Sequence, residues 1–226
     1  VARTLLQLCQ DAARDIGLNV PTLIVNGQSD LSKRLFRMAQ KEADSLRKRF
    51  DWQALLKVQT ITTVANTATY SLPADYARHT LDSFWDATRF TEMYGPLTPD
   101  LWAMHKYSAV AAGLLLQRRW LIRGSSIVIV PTPGTSGESL AYEYVGKNHI
   151  TTGATATDRW TTDADTSALD DHLLGLGITW RMMNNLGLAH AEEKDEYARE
   201  VAKAAARDGG GAPHFALSGP RRSAPS

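Results

Sequence analysis

The chain is expected to fold as an α+β protein. A helical bundle built from its N- and C-terminal segments would carry an inserted small antiparallel β domain, a barrel or a sandwich, and end in an extended C-terminal tail. Three observations in its 226 residues predict this. Apolar residues recur at steps of three and four near both ends, the period changes to two between residues 55 and 145, and Gly, Pro, Ser and Arg dominate after residue 208. The bundle is expected over 1–53 and 163–208, the β-rich insertion over 54–162 and a flexible tail over 209–226.

At the N-terminus, Leu5, Leu8, Cys9, Ala12 and Ile16 mark one face of a short amphipathic helix, with Gly17 where a left-handed cap is common. After a loop holding Pro21 and Gly27, Ser29 or Asp30 can cap a longer helix running to about Phe50. Its apolar side carries Leu31, Leu35, Met38, Ala39, Leu46 and Phe50.

From Leu55 the residues alternate and are rich in β-branched types, which predicts a strand. With a turn at Ala65–Thr67 and a short return over Tyr70–Leu72, stopped by Pro73, this reads as a first hairpin. Thr80–Asp86 suggests another extended piece, and Thr98-Pro99-Asp100 a small helix through His105. Trp120–Arg123 and Ile127–Val130 around Gly124-Ser125-Ser126 give a strong hairpin signal, and Leu140–Val145 a further strand. Thr151–Thr162, polar and threonine-rich, reads as a loop.

Asp165 or Ser167 can cap the next helix, with a stripe of Leu169, Leu173, Leu176, Trp180 and Met183. Gly187 then separates it from a last helix, Ala189–Arg207, with Tyr197, Val201 and Ala204 inside, so the two are expected to form an antiparallel hairpin.

The formal charge of +1 gives no global attraction to nucleic acid or anionic membranes, so any such contact must be local. Cys9, the single cysteine, cannot form an internal disulfide and is expected to pack as a small hydrophobe in a protein made for a reducing cytoplasm. The longest apolar run, Ala109–Leu116, is far short of the roughly 20 residues that span a bilayer, and no export signal is evident.

No motif carries chemistry. His79, His105, His149, His172, His190 and His214 lack the spacing of zinc ligands. Asp163, Asp165, Asp170 and Asp171 could hold a hard cation, but helix capping is the preferred reading. Gly175-Leu-Gly177 lies in a helical stripe without the strand and third glycine of a nucleotide fingerprint, so close helix packing explains it better. A nucleophile elbow and a phosphate loop are both missing, although residues brought together only in space leave no such trace. The six tryptophans are spread through the chain and are expected mostly in the core or at interfaces. No catalytic residue, cofactor or metal is assigned.

Arg34, Arg37, Lys41 and Lys48 share one face of the second helix. They could meet phosphates or an acidic surface of a neighbouring subunit, but a solvated face beside Glu42 and Asp44 is the preferred reading. Arg221-Arg222 in the tail is either solubilising or a docking anchor.

Several segments together resemble the adaptor, or head-completion, proteins of tailed bacteriophages. They are Leu35–Glu42, Arg49–Trp52, Thr60–Val64, Tyr70–Asp75, Phe84–Asp86, Gly95–Pro99, Ile122–Gly124, Ile129–Pro133, Tyr142–Val145, Asp163–Asp165, Leu173–Gly177 and Trp180-Arg181. The likeness runs from about Leu5 to Gly211, and its weight lies in the number and order of the segments. It implies a non-enzymatic structural protein of the virion neck, made in the host cytoplasm and free of membrane. About twelve copies would form a homo-oligomeric ring between the portal protein and a tail or nozzle protein, continuing the DNA channel with transient, non-specific contact to the genome.

On that resemblance, the portal-binding residues are expected in the tail, at Ala212, Pro213, His214, Phe215, Leu217, Arg221 and Arg222. The stripe Arg34, Arg37, Lys41 and Lys48 is expected to face the channel or a neighbouring subunit. Rival readings are a tail-completion or tail-tube component, a hydrolase assembled only in space, and a nucleic-acid-binding module on the basic helix.

Overall fold

The computed structural model of the protein describes residues 2–108 and 117–209. The first elements are α1 (Leu5–Asp15), α2 (Asp30–Arg49), β1 (Leu56–Thr62), β2 (Thr69–Ser71), β3 (Tyr76–His79), β4 (Trp85–Asp86), β5 (Thr91–Glu92) and α3 (Pro99–Ser108). There follow β6 (Arg119–Arg123), β7 (Ser126–Val130), β8 (Ser139–Gly146), β9 (Ile150–Thr152), β10 (Thr155–Thr157), β11 (Thr166–Ser167), α4 (Asp171–Leu186) and α5 (Ala191–Arg207). The fold is thus α+β, with antiparallel sheets inserted between helical segments from the two ends of the chain. It divides into two compact units, one holding the chain up to Gln53 and again from Trp160, the other Ala54–Arg159. The tail expected beyond residue 209 lies outside the described residues.

In the helical unit, Thr4 and Gln7 close a reciprocal capping box on α1, satisfying two amides that would otherwise face no partner. Leu5, Leu8, Cys9, Ala12 and Ala13 are buried, and Gly17 takes a φ of +74° beyond the helix end. Of the two caps foreseen for α2, Ser29 serves: its Oγ accepts from the Ser32 amide at 3.1 Å. Helix α4 is the centre of the bundle, packing on α1, α2 and α5. It turns into α5 through Gly187 at φ +73°, where the Leu188 amide donates to the Met183 carbonyl at 3.0 Å, and the two helices pack against each other.

The start of α4 differs from the sequence expectation. Its cap is Asp170, whose carboxylate accepts from the amides of His172 and Leu173. Ser167 lies in β11, and Asp165 is turned inward to serve a loop. The buried face of α4 is also broader than the predicted stripe. Leu173, Leu174, Gly177, Ile178 and Met182 are buried, whereas Leu176, Trp180 and Met183 are half-buried and Leu169 precedes the helix. A helix flanked by three others hides a wide arc, so a single apolar row underestimates it.

In the β unit, the first sheet runs β1-β8-β4-β5, with β3 also paired to β8, and the second runs β2-β7-β6. Both contribute to one core of Ile61, Phe84, Met93, Trp120, Ile127, Ile129, Leu140, Tyr142 and Tyr144, as in a small sandwich. The β6–β7 hairpin pairs Arg119 with Val130 and Arg123 with Ser126 around Gly124, as its sequence signals.

The hairpin foreseen over Leu55–Leu72 does not form. β1 pairs with β8, Leu56 opposite Val145, while β2 pairs with β7, Tyr70 opposite Ile127. The turn between them carries the chain from one sheet to the other, held by the Asn66 amide donating to the Pro133 carbonyl at 2.9 Å. The extended piece expected over Thr80–Asp86 is reduced to Trp85–Asp86, and a separate strand occupies Tyr76–His79. Thr151–Thr162 is not simply a loop, because β9 and β10 form a hairpin there with Gly153 at φ +59°. Its threonines are β-branched, which suits paired strands as well as it suits a polar connection.

Candidate interaction surfaces

Two sets of buried charged groups form structural locks. In the helical unit the carboxylate of Glu42 is fully buried, accepts from Tyr197 Oη and forms an ion pair with Arg181. Burial raises the Glu42 pKa above its ordinary value, against the opposing hydrogen bonds from Tyr197 and Arg181. Burial and then the neighbouring Glu42 charge push the Tyr197 hydroxyl pKa up as well. The Arg49 guanidinium covers the Tyr197 ring at 5.3 Å.

Small size at Gly177 lets α4 accept this carboxylate, since a side-chain carbon there would collide with Glu42. Gly175 has open space, so the close-packing reading holds for the second of the two glycines. Glu42 therefore does not temper the basic stripe of α2 from the same face, as the sequence suggested. It points into the core, on the arc defined by Leu35, Ala39 and Leu46.

A second lock lies in the β unit. Arg118, 4% exposed, donates to Asp86 at 2.9 Å and pairs with Glu138, which also meets Arg89 at 3.0 Å. Asp86 accepts from the amides of Thr88 and Arg89, fixing the turn that follows β4. Burial raises the Glu138 pKa, but Arg118 and then Arg89 outweigh it and hold it below the ordinary value.

The aspartates near α4 each have separate work. Asp163 accepts from the amides of Ile24 and Val25, Asp165 from both Thr161 and Thr162, Asp170 caps α4, and Asp171 accepts from the Arg3 amide at 2.7 Å. Among the described residues, no group of three or more His, Cys, Asp or Glu is placed to hold a metal ion. Cys9 is buried on α1, and burial, then the charge of Asp163, push its thiol pKa up to about 12. Trp52, Trp102, Trp120 and Trp160 are buried, whereas Trp85 is 48% exposed. Among the described residues, no helix is long and apolar enough to cross a membrane.

The exposed surface is a different matter. Arg34, Arg37, Lys41 and Lys48 all lie exposed on α2, joined by Lys33. A shallow groove along this face is lined by Phe36, Arg37, Gln40, Lys41, Asp44, Ser45 and Lys48, three cations with one acid among them. Ala212, Pro213, His214, Phe215, Leu217, Arg221 and Arg222 lie outside the described residues. The locks at Glu42 and Asp86 escaped sequence reasoning; only the spacing of Glu42 from Leu35 and Ala39, seven and three residues, could have signalled burial.

No curated protein matches the chain at a significant level. A family model described as SU10 adaptor protein matches residues 3–214, nearly the full length. The chain belongs to this SU10 adaptor protein family, a family of bacteriophage adaptors.

Proposed function

We propose that the protein joins the portal to the tail of a tailed bacteriophage as a ring of about twelve copies in the virion neck, continuing the channel through which DNA passes. The observation that carries the reading is the adaptor-family match across residues 3–214. The chemistry of the described residues agrees with a role based on shape. The most deeply buried acids, Glu42 and Asp86, are held by arginines within packed cores and act as cross-links between elements.

On this reading the two units serve as separate domains, a discontinuous helical bundle over 1–53 and 163–208 and a β domain over 54–162. The segment after residue 208 serves as a docking tail. Residues 212–226 have the composition of a segment that orders on a partner, and Phe215, Leu217, Arg221 and Arg222 supply apolar and cationic anchors for the portal. The bland charge balance of +1 suits a ring whose lumen lets DNA slide.

Mixing the full chain with the portal protein of the same genome and imaging the product by electron microscopy tests the reading. A collar of about twelve subunits seated on the portal is the expected result. A monomer that ignores the portal overturns it. Deleting residues 212–226 should abolish stable docking, and full portal affinity without them would remove the tail from the interface.

A further inference from the structure

We infer that neighbouring copies in the ring meet through two complementary faces, the basic groove on α2 of one copy receiving the outer face of the first sheet of the next. The inference rests on the ring reading and names the contact that would build it.

The sheet face follows from strand register. Thr60 pairs with Ala141, Ala141 with Trp85 and Trp85 with Glu92, so these four stand in one row on one side of the sheet. Val58 and Glu143 form the next row on the same side. The alternate positions Ile61, Leu140, Tyr142 and Asp86 are buried, which leaves the Trp85 row facing outward. Val58 is 67% and Trp85 48% exposed, a cost in water that a solvated sheet face does not require. Glu143 is exposed and Glu92 half-buried, and neither carboxylate has a cationic partner among the described residues. The face is thus an apolar centre with an acidic rim.

Helix α2 presents the reverse. Lys33, Arg34, Arg37, Lys41 and Lys48 are exposed and have no acidic partner among the described residues, while Asp44 is drawn to Arg47 at 3.9 Å. The half-buried Phe36 gives the groove beside them an apolar wall. An indole such as Trp85 can lie against Phe36 with Arg37 or Lys41 over its face, as Glu92 and Glu143 meet the remaining cations. The charge complementarity singles out a second copy of this chain as the occupant. Each copy carries both faces once, so every contact is head-to-tail, the kind that closes into a ring.

The test uses full-length chains mixed with portal protein. Equal amounts of unlabelled and nitrogen-15-labelled chains are treated with a carbodiimide, which joins touching amines and carboxylates, and the linked peptides are read by mass spectrometry. Mixed-isotope links from Lys41 or Lys48 to Glu92 or Glu143 are expected. Arg37→Glu with Lys41→Glu, and separately Glu92→Lys with Glu143→Lys, should each raise the concentration needed for ring assembly about tenfold or more, and combining all four should restore it. Trp85→Ala should weaken assembly without a charge change. Rings that form normally from the reversed chains, or through other cross-links, overturn this contact and leave the ring reading standing. Steep salt-dependent DNA binding lost on reversal of α2, with rings intact, assigns the stripe to DNA and overturns it too. Wild-type chains that never assemble on the portal overturn the ring reading itself.

Discussion

Gly177 in α4 lies directly against the side chain of the buried Glu42 in α2, so close that a single added carbon would fall inside the carboxylate's van der Waals envelope. Two helices meet there at a polar point in an apolar bundle. Gly177→Ala must push Glu42 away from Arg181 and Tyr197 or displace α4, and overpacking of this kind costs about 1–3 kcal/mol. Gly175→Ala, two residues earlier with open space around its position, should be neutral or gain up to about 1 kcal/mol from helix propensity. Thermal or denaturant unfolding of the two variants checks the contrast. Equal effects would show that α4 and α2 do not approach as described.

Arg118 holds the same kind of position in the β unit, between Asp86 and Glu138. Arg118→Ala would leave the fully buried Asp86 with only the half-exposed Arg89 guanidinium at 3.9 Å, a loss that approaches the roughly 3–5 kcal/mol typical of breaking a buried pair. The turn after β4 should also loosen, because Asp86 orders the Thr88 and Arg89 amides. Hydrogen exchange should therefore report faster exchange at Thr88 and Arg89 in the variant. Unchanged protection would mean that the turn is set by its backbone alone.

The helices are largely legible in the sequence because their signals are local. Ser29, Gly17 and Gly187 mark ends, and Leu5, Leu8, Cys9 and Ala12 mark a face. The longer strands are legible too, and the β6–β7 hairpin is complete within twelve residues, whereas β3 and the short β9–β10 hairpin are not. Strand partnership is not, because β1 finds its partner β8 across a long stretch of chain, Leu56 opposite Val145, and alternation says nothing about which edge will be met. Of the candidate surface residues, Arg34, Arg37, Lys41 and Lys48 are readable as one exposed face from spacing alone. The sheet face around Trp85 is not, since Thr60, Ala141, Trp85 and Glu92 come together only through three separate pairings.

Asp75 gives the β unit a pH-dependent contact. It accepts from Lys57 Nζ at 2.5 Å and Tyr144 Oη at 2.9 Å. Burial raises its pKa, but these hydrogen bonds and the Lys57 charge outweigh burial and hold it below the ordinary 3.8. A depressed folded-state pKa means that the native protein releases this proton more readily than the unfolded chain. The stabilisation is present above 3.8 and is lost as pH falls through the lower folded-state value. Asp75→Asn should therefore cost about 1–3 kcal/mol near neutral pH and much less in acid. Urea unfolding of both proteins at the two pH values checks this, and a gap that does not narrow on acidification would contradict the assignment.

Phe90 stands at the end of the turn that Asp86 fixes, 85% exposed and at a φ of +55°. Among the described residues, the other non-glycine positions with positive φ are Asn66 and Asp82, types that tolerate the left-handed region because their short polar side chains can bond locally. Phenylalanine has no such compensation, and it gains little from burial at this exposure. Its backbone strain, of order 1 kcal/mol, is carried by the ordered turn around it. Phe90→Asn should thus leave stability unchanged or raise it by up to about 1 kcal/mol, the reverse of the usual loss on truncating a phenylalanine. Denaturant unfolding of the isolated chain measures that gain. A loss above about 1 kcal/mol would show that the ring is packed in solution, contrary to its exposure here.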